Sequence, residues 1–223
     1  MKNALIIGGS RGLGLGLVKQ HLARGWRVTA TMRSPSPELQ ALGGALRVET
    51  LDVLDQTQVA ALASKLAGES YDLLFLNPGI MAGRGVALTE VPDADIVGIF
   101  LTNAIAPIRA ADRLAHLVPQ GGMIAFMSSI LGSVGTNDDG RAELYRASKA
   151  ALNSLIRSFC ARHAGDGRTV LALHPGVVRT GMGGPSAPLD IETSVRGVAD
   201  VIAARRGTGG HVFVDYRNQI IPW

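Results

Sequence analysis

Short apolar runs alternate with amphipathic helical stretches along this whole chain, and that alternation restricts its fold more than any other feature. "NALIIGG" is an apolar run ending in glycines, and "LGLGLVKQHLARG" after it has helical spacing closed by Gly25. The pattern recurs. "WRVTATMR" and "LRVETLDV" read as strands, "DQTQVAALASKLAG" as a helix beginning near Asp55, and "YDLLFLNPG" as a buried strand. A helical stretch from about Asp93 to Val118, a strand "GMIAFMSS", a helix from about Ala142 to Ala164, a strand "TVLALHPG", a helix near Ile191 to Ala204 and a last strand "HVFVD" complete the series. This order predicts an α/β fold, a doubly wound, mostly parallel sheet with helices on both faces. No linker, low-complexity tract or repeat interrupts it, so one domain is expected over residues 1–223.

In such sheets ligands bind beyond the carboxyl ends of the strands. The conspicuous glycine, proline and polar residues lie there: Gly8 to Gly14, Arg33, Asp52, Asn77 to Gly79, Ser128 and Ser129, and Pro175 to Thr180. The segment "IIGGSRGLG" spaces Gly8, Gly12 and Gly14 as G-x-x-x-G-x-G at the first strand-to-helix junction. Glycine there lets a pyrophosphate approach the backbone, and the helix N-terminus offers free N–H groups to it. Sheets that prefer NAD hold an acidic residue near the end of the second strand, whereas "TATMRSPSP" has none before Glu38. Arg11 and Arg33 are suited instead to a 2′-phosphate, which favours NADP(H).

Composition excludes other classes. The charge of +4 is scattered singly and aromatics are 4%, so no basic, aromatic-interleaved nucleic-acid surface is expected. The single cysteine, Cys160, precludes an intrachain disulfide or a multi-thiolate zinc site, fits a reducing compartment, and reads as a small buried hydrophobe. The histidines His21, His116, His163, His174 and His211 lack metal spacing, so no metal is expected. The opening apolar run is too short for a signal peptide and no segment reads as a membrane span, which predicts a cytoplasmic protein with no membrane partner.

Within "AELYRASKAAL", Tyr145 precedes Lys149 by four positions, so phenol and ammonium share one helix face. A nearby positive charge favours the phenolate, making the pair a candidate for proton transfer. Taken with "GGSRGLG", "LDV", "NPG", "LTNAIAP", "MSSILGSVG", "YRASK" and "HPGVVRTGMGG" in this order, the chain resembles a short-chain dehydrogenase/reductase over essentially its whole length. "TMRSP", the "TNDDG" insert and the terminal "DYRNQIIPW" make the resemblance strongest to the C-factor-like and sniffer-like carbonyl reductases. Ile7, where many members have threonine, and "NPG" in place of N-A-G depart from the family pattern.

The resemblance implies a single-domain Rossmann fold of about seven strands in the order 3-2-1-4-5-6-7, with a cofactor half of about 1–120 and a catalytic half of about 121–223. It implies hydride transfer between NADP(H) and a small carbonyl or alcohol. Tyr145 is then the proton donor, Lys149 lowers its pKa and binds the nicotinamide ribose, Ser129 holds the substrate oxygen, and Asn103 holds a water linking Lys149 to solvent. Ser129 is preferred to Ser128 on the family pattern alone. Gly8, Ser10, Arg11, Gly12, Leu13, Gly14, Arg33, Asp52, Val53, Asn77, Gly79, Tyr145, Lys149, Pro175, Gly176, Val178 and Thr180 are the implied cofactor contacts. The short lid "GMGGPSAPLD" suggests an open, tolerant pocket. Two rival readings stand beside this: a non-catalytic NADP(H)-binding sensor, and an NAD-linked alcohol dehydrogenase working oxidatively. Relatives pair through the two long helices, but Tyr145 lies sixteen positions after Ser129, more than usual, so both a monomer and a homo-oligomer are expected possibilities.

Overall fold

In a computed structural model that describes residues 1–223, seven strands form one sheet. They are β1 (Asn3–Ile7), β2 (Arg27–Met32), β3 (Leu46–Thr50), β4 (Leu73–Leu76), β5 (Met123–Met127), β6 (Thr169–His174) and β7 (Gly210–Asp215). The order is β3-β2-β1-β4-β5-β6-β7, the one the family resemblance implies, and every pairing is parallel, as expected from the alternation. All carboxyl ends therefore open on one edge.

The central strands read as continuous apolar runs because both faces are covered. Leu5, Ile7, Leu74, Leu76, Ile124 and Phe126 point to one side, and Ala4, Ile6, Leu73, Phe75, Met123 and Ala125 to the other. On the first side lie α3 (Gln56–Lys65), α5 (Ala106–Leu114) and α6 (Glu143–Arg162), with α4 (Asp93–Phe100) packed through Ile99 on Leu144 of α6; on the second lie α1 (Gly12–Ala23), α2 (Pro37–Gln40) and α7 (Ile191–Arg205). Each large side chain buried in these layers contributes about 1.5–3 kcal/mol against the entropy of ordering the chain.

The helix expected from Asp93 to Val118 is not uniform. Between α4 and α5 the residues Leu101–Ile105 wind wider, as a π-turn, and the last helical turn, Ala115–Leu117, tightens to 3₁₀ geometry. Taken together, Asp93–Leu117 is long and apolar enough to cross a membrane, which corrects the expectation that no segment reaches that length. The stretch is instead a core helix: Ala104, Ala106, Ile108, Ala110, Ala111 and Leu114 are buried under the sheet.

The helix expected from Ala142 starts one residue later. Ala142 sits at φ 56°, ψ 44°, outside the helical region, and the element ends at Arg162, short of Ala164. The segment α2 carried too little period to be foreseen; Ser36 caps it, accepting from Leu39 N over 3.3 Å, with Pro37 at its first position. Asp55 caps α3 through Thr57 N and Gln58 N, at 2.9 and 3.2 Å.

Candidate active site

The first strand-to-helix turn is a tight one. A Cβ placed on Gly14 would stand 2.0 Å from the Gly8 carbonyl oxygen and 2.7 Å from Asn77 Nδ2, so only glycine allows α1 to approach β1 this closely. Asn77 Nδ2 donates to that same carbonyl over 2.9 Å, tying the end of β4 to the loop. No side chain caps α1, and the amides of Gly12, Leu13 and Gly14 have no carbonyl partner. Free amides at a helix N-terminus suit an anion.

Ser36 Oγ donates to Ser10 O over 2.8 Å and so holds the turn after β2 against the glycine loop. Arg11 and Arg33 are both exposed there, and neither takes part in an ion pair or a side-chain hydrogen bond, so a phosphate beside Ser10 would meet two free guanidinium groups. Asp52, past β3, accepts from Leu54 N over 3.0 Å, which fixes the turn holding Val53.

At the end of β5 the two adjacent serines part. Ser128 Oγ donates to Asn153 Oδ1 over 2.6 Å, and Asn153 Nδ2 donates to Gly132 O over 3.1 Å, so Ser128 is committed to the seam with α6. Ser129 accepts only from Leu131 N, at 3.2 Å, and its hydroxyl lies beside the Tyr145 phenol. Gly132 packs directly on α6: a Cβ there would come within 2.8 Å of the Lys149 carbonyl. The sequence reading did not single out Gly132.

Lys149 is 2% exposed; its Nζ donates to Met127 O over 2.9 Å and stands 5.8 Å from the Tyr145 ring centroid. Burial pushes Lys149 down to about 8. Burial likewise pushes the Tyr145 phenol up to about 12, with the Ser129 hydroxyl acting against the rise. For both side chains desolvation is the larger influence, and it favours the neutral form of each.

Asn103 lies in the π-turn and is fully buried. Its Oδ1 accepts from Ile80 N over 2.8 Å, and Nδ2 donates to Ile80 O over 2.9 Å and to Ser148 Oγ over 3.0 Å. Both amide hydrogens are spent and Oδ1 keeps one lone pair. A methyl placed on Gly79 would meet Lys149 Nζ at 3.6 Å and Asn103 Oδ1 at 3.7 Å, so these two groups border one small space.

Past β6, Pro175 O accepts from Ser194 Oγ over 2.6 Å, and a Cβ on Gly176 would stand 2.4 Å from Leu189 Cδ1. The lid after it is pinned. Val178 pairs with Leu189, Arg179 Nη1 donates to Ala187 O and Pro188 O over 2.9 and 3.0 Å, Thr180 Oγ1 accepts from Gly183 N over 3.1 Å, and Arg84 reaches Met182 O. Beside it lies a cavity of about 430 Å³ between Ile130, Val177, Leu189, Tyr216 and Ile220. His174 lines its floor, and burial pushes that imidazole down to about 4.

A family model described as short chain dehydrogenase matches residues 2–188. The chain belongs to the short-chain dehydrogenase family. Among solved structures, this short-chain dehydrogenase is similar to a carbonyl reductase from Pseudomonas aeruginosa PAO1 in complex with NADP, with a TM-score of 0.93, 42% identity and 100% of both chains covered. It is also similar to the carbonyl reductase Sniffer of D. melanogaster, with a TM-score of 0.89, 30% identity and 100% of both chains covered. Among curated proteins it is 37% identical to C-signal of Myxococcus xanthus over 165 residues, 73% of this chain and 99% of that one.

Proposed function

We propose that this chain is an NADP(H)-dependent oxidoreductase that reduces an aldehyde or ketone to an alcohol, with Tyr145 as the proton donor. The observation that carries the reading is the Ser129 hydroxyl paired with the Tyr145 phenol, while Ser128 is bonded to Asn153. The carbonyl reductase of Pseudomonas aeruginosa bound to NADP supports the cofactor and the substrate class.

The cofactor fits the residues present. The uncapped amides of Gly12, Leu13 and Gly14 would take the pyrophosphate beside Gly8, and Ser10, Arg11 and Arg33 the 2′-phosphate. Asp52 and Val53 would border the adenine, and Asn77, Gly79, Pro175, Gly176, Val178 and Thr180 the nicotinamide side, where Lys149 would reach the ribose. Residues 1–120 thus supply most of the cofactor contacts and 121–223 the chemistry.

NADPH, when bound, supplies the hydride. Ser129 Oγ and the Tyr145 hydroxyl would both donate to the substrate oxygen, orienting the carbonyl and stabilising the negative charge that grows on it. Tyr145 then gives its proton to that oxygen. Lys149, one turn further on α6, would stabilise the phenolate left behind. A water in the space beside Gly79, between Asn103 Oδ1 and Lys149 Nζ, would return the proton from solvent. The cavity lined by Ile130, Val177 and Ile220 would take the carbonyl's apolar substituent, and its volume of about 430 Å³ suits broad tolerance.

NADPH oxidation followed by absorbance over a panel of small and bulky carbonyls, with NADH in parallel, tests the reading. Activity that needs NADPH and is lost in Tyr145→Phe supports it. Tight NADPH binding with no carbonyl turned over would favour the non-catalytic sensor, a reading to which the similarity to C-signal lends support.

A further inference from the structure

The loop between Ser129 and Tyr145 closes around one buried arginine. Arg146, next to Tyr145, is 7% exposed, a rare position for a guanidinium group. Its Nε donates to Arg141 O and its Nη2 to Asp139 Oδ1, each over 2.7 Å. Asp139 also accepts from Arg141 N, Nε and Nη2 at 3.0, 2.9 and 2.7 Å, so one carboxylate closes the loop on itself and onto α6.

The residue enclosed by this loop is Ala142, whose positive φ of 56° is a conformation that side chains with a Cβ resist. It starts α6 with no side-chain cap. The two carbonyls that flank the strained position are both held by Arg146: Arg141 O by the side-chain Nε, and Ala142 O by the backbone amide over 2.8 Å. Arg146 Nη1 is buried without any partner. A buried guanidinium with a spare donor adds little to stability. What it does accomplish is to fix where the helix that carries Tyr145 begins.

The geometry points to Arg146 as a positioning residue: its clasp with Asp139 sets the first turn of α6 and thereby the place of the Tyr145 phenol against Ser129. The inference rests on Tyr145 being the proton donor.

The test compares wild type, Arg146→Met, Arg146→Lys, Asp139→Asn and the double variant by amide hydrogen exchange over residues 143–147 and by steady-state kinetics. In Arg146→Met, exchange in that turn is expected to rise about tenfold or more while β4 is unchanged. The kcat is expected to fall about tenfold or more with NADPH affinity intact. Arg146→Lys should recover part of both, and the double variant should match the worse single one, since both remove one clasp. Wild-type exchange and kcat in Arg146→Met, or defects that add, would overturn the proposal. A wild type that reduces no carbonyl would fail the reductase reading instead, and the exchange experiment then decides the clasp alone.

Discussion

Asn103 Nδ2 donates to Ser148 Oγ over 3.0 Å, and that hydroxyl donates in turn to the Tyr145 carbonyl over 2.8 Å. The π-turn is thereby fastened to α6 within the turn that carries Tyr145 and Lys149. Ser148→Ala removes one link and is expected to cost about 1 kcal/mol. Asn103→Leu also strands the Ile80 N–H and C=O, and about 3 kcal/mol is expected. Urea unfolding of both variants checks the ranking; an equal loss would mean that the Ile80 bonds are made good by water.

The adjacent serines at the end of β5 should separate in opposite senses. Ser129→Ala is expected to lower kcat by about 10²-fold, as for the loss of an oxyanion donor, with up to about 1 kcal/mol lost in unfolding through its bond to Leu131 N. Ser128→Ala is expected to keep turnover and to lose about 1 kcal/mol of stability, because it breaks the bond to Asn153. Measuring kcat and the urea midpoint for both variants is decisive, since the reverse pattern would exchange their roles.

Arg11 and Arg33 have no partner within the chain, so removing either leaves the fold untouched and acts on the cofactor. Each charge-assisted bond to a 2′-phosphate contributes about 1.5–3 kcal/mol, which predicts a rise of about tenfold or more in KM for NADPH in Arg11→Ala or Arg33→Ala. KM for NADH should stay near wild type. A parallel rise for both cofactors would place these arginines on the pyrophosphate.

The alternation of apolar runs and helices was sufficient for a doubly wound parallel sheet with every strand's carboxyl end at one edge, while the strand order came from the family resemblance. Ser128 and Ser129 could not be parted that way. Neighbours on an extended segment face opposite sides, and only the register of β5 against α6 says which side holds Tyr145. The π-turn at Leu101–Ile105 and the strained Ala142 have no local pattern, since neighbouring elements impose both. Burial, a tertiary quantity that spacing does not show, pushes the Tyr145 phenol up and the Lys149 ammonium down.

His21 is buried in α1 with Nδ1 on the Leu17 carbonyl at 2.8 Å, and burial pushes it down to about 4. Its folded pKa lies below the unfolded value of 6.5, so the native state resists the proton. Stability is full above pH 6.5 and is lost as pH falls toward 4, by at most about 3 kcal/mol for this group. His174, also pushed down to about 4, adds to the same slope. Urea unfolding at pH 7 and 4.5 should show the loss, and His21→Gln should flatten it; an equal slope in the variant would shift the cause to other groups.

Gly79 gives the most specific test of the proton route. Its φ is not in the left-handed region, and a methyl there makes only ordinary contacts, at 3.6 and 3.7 Å, so Gly79→Ala should fold as wild type does. The methyl would nevertheless occupy the point that Lys149 Nζ and Asn103 Oδ1 both border, where the proposed water would sit. General acid transfer from Tyr145 in a single turnover would survive, because the phenol begins protonated. Resupply of its proton would not. Single-turnover reduction near the wild-type rate, with steady-state kcat reduced about tenfold or more, is therefore expected. The solvent isotope effect on kcat should rise as proton return becomes limiting. Unchanged steady-state turnover would show that the proton reaches Tyr145 by a path that bypasses Asn103.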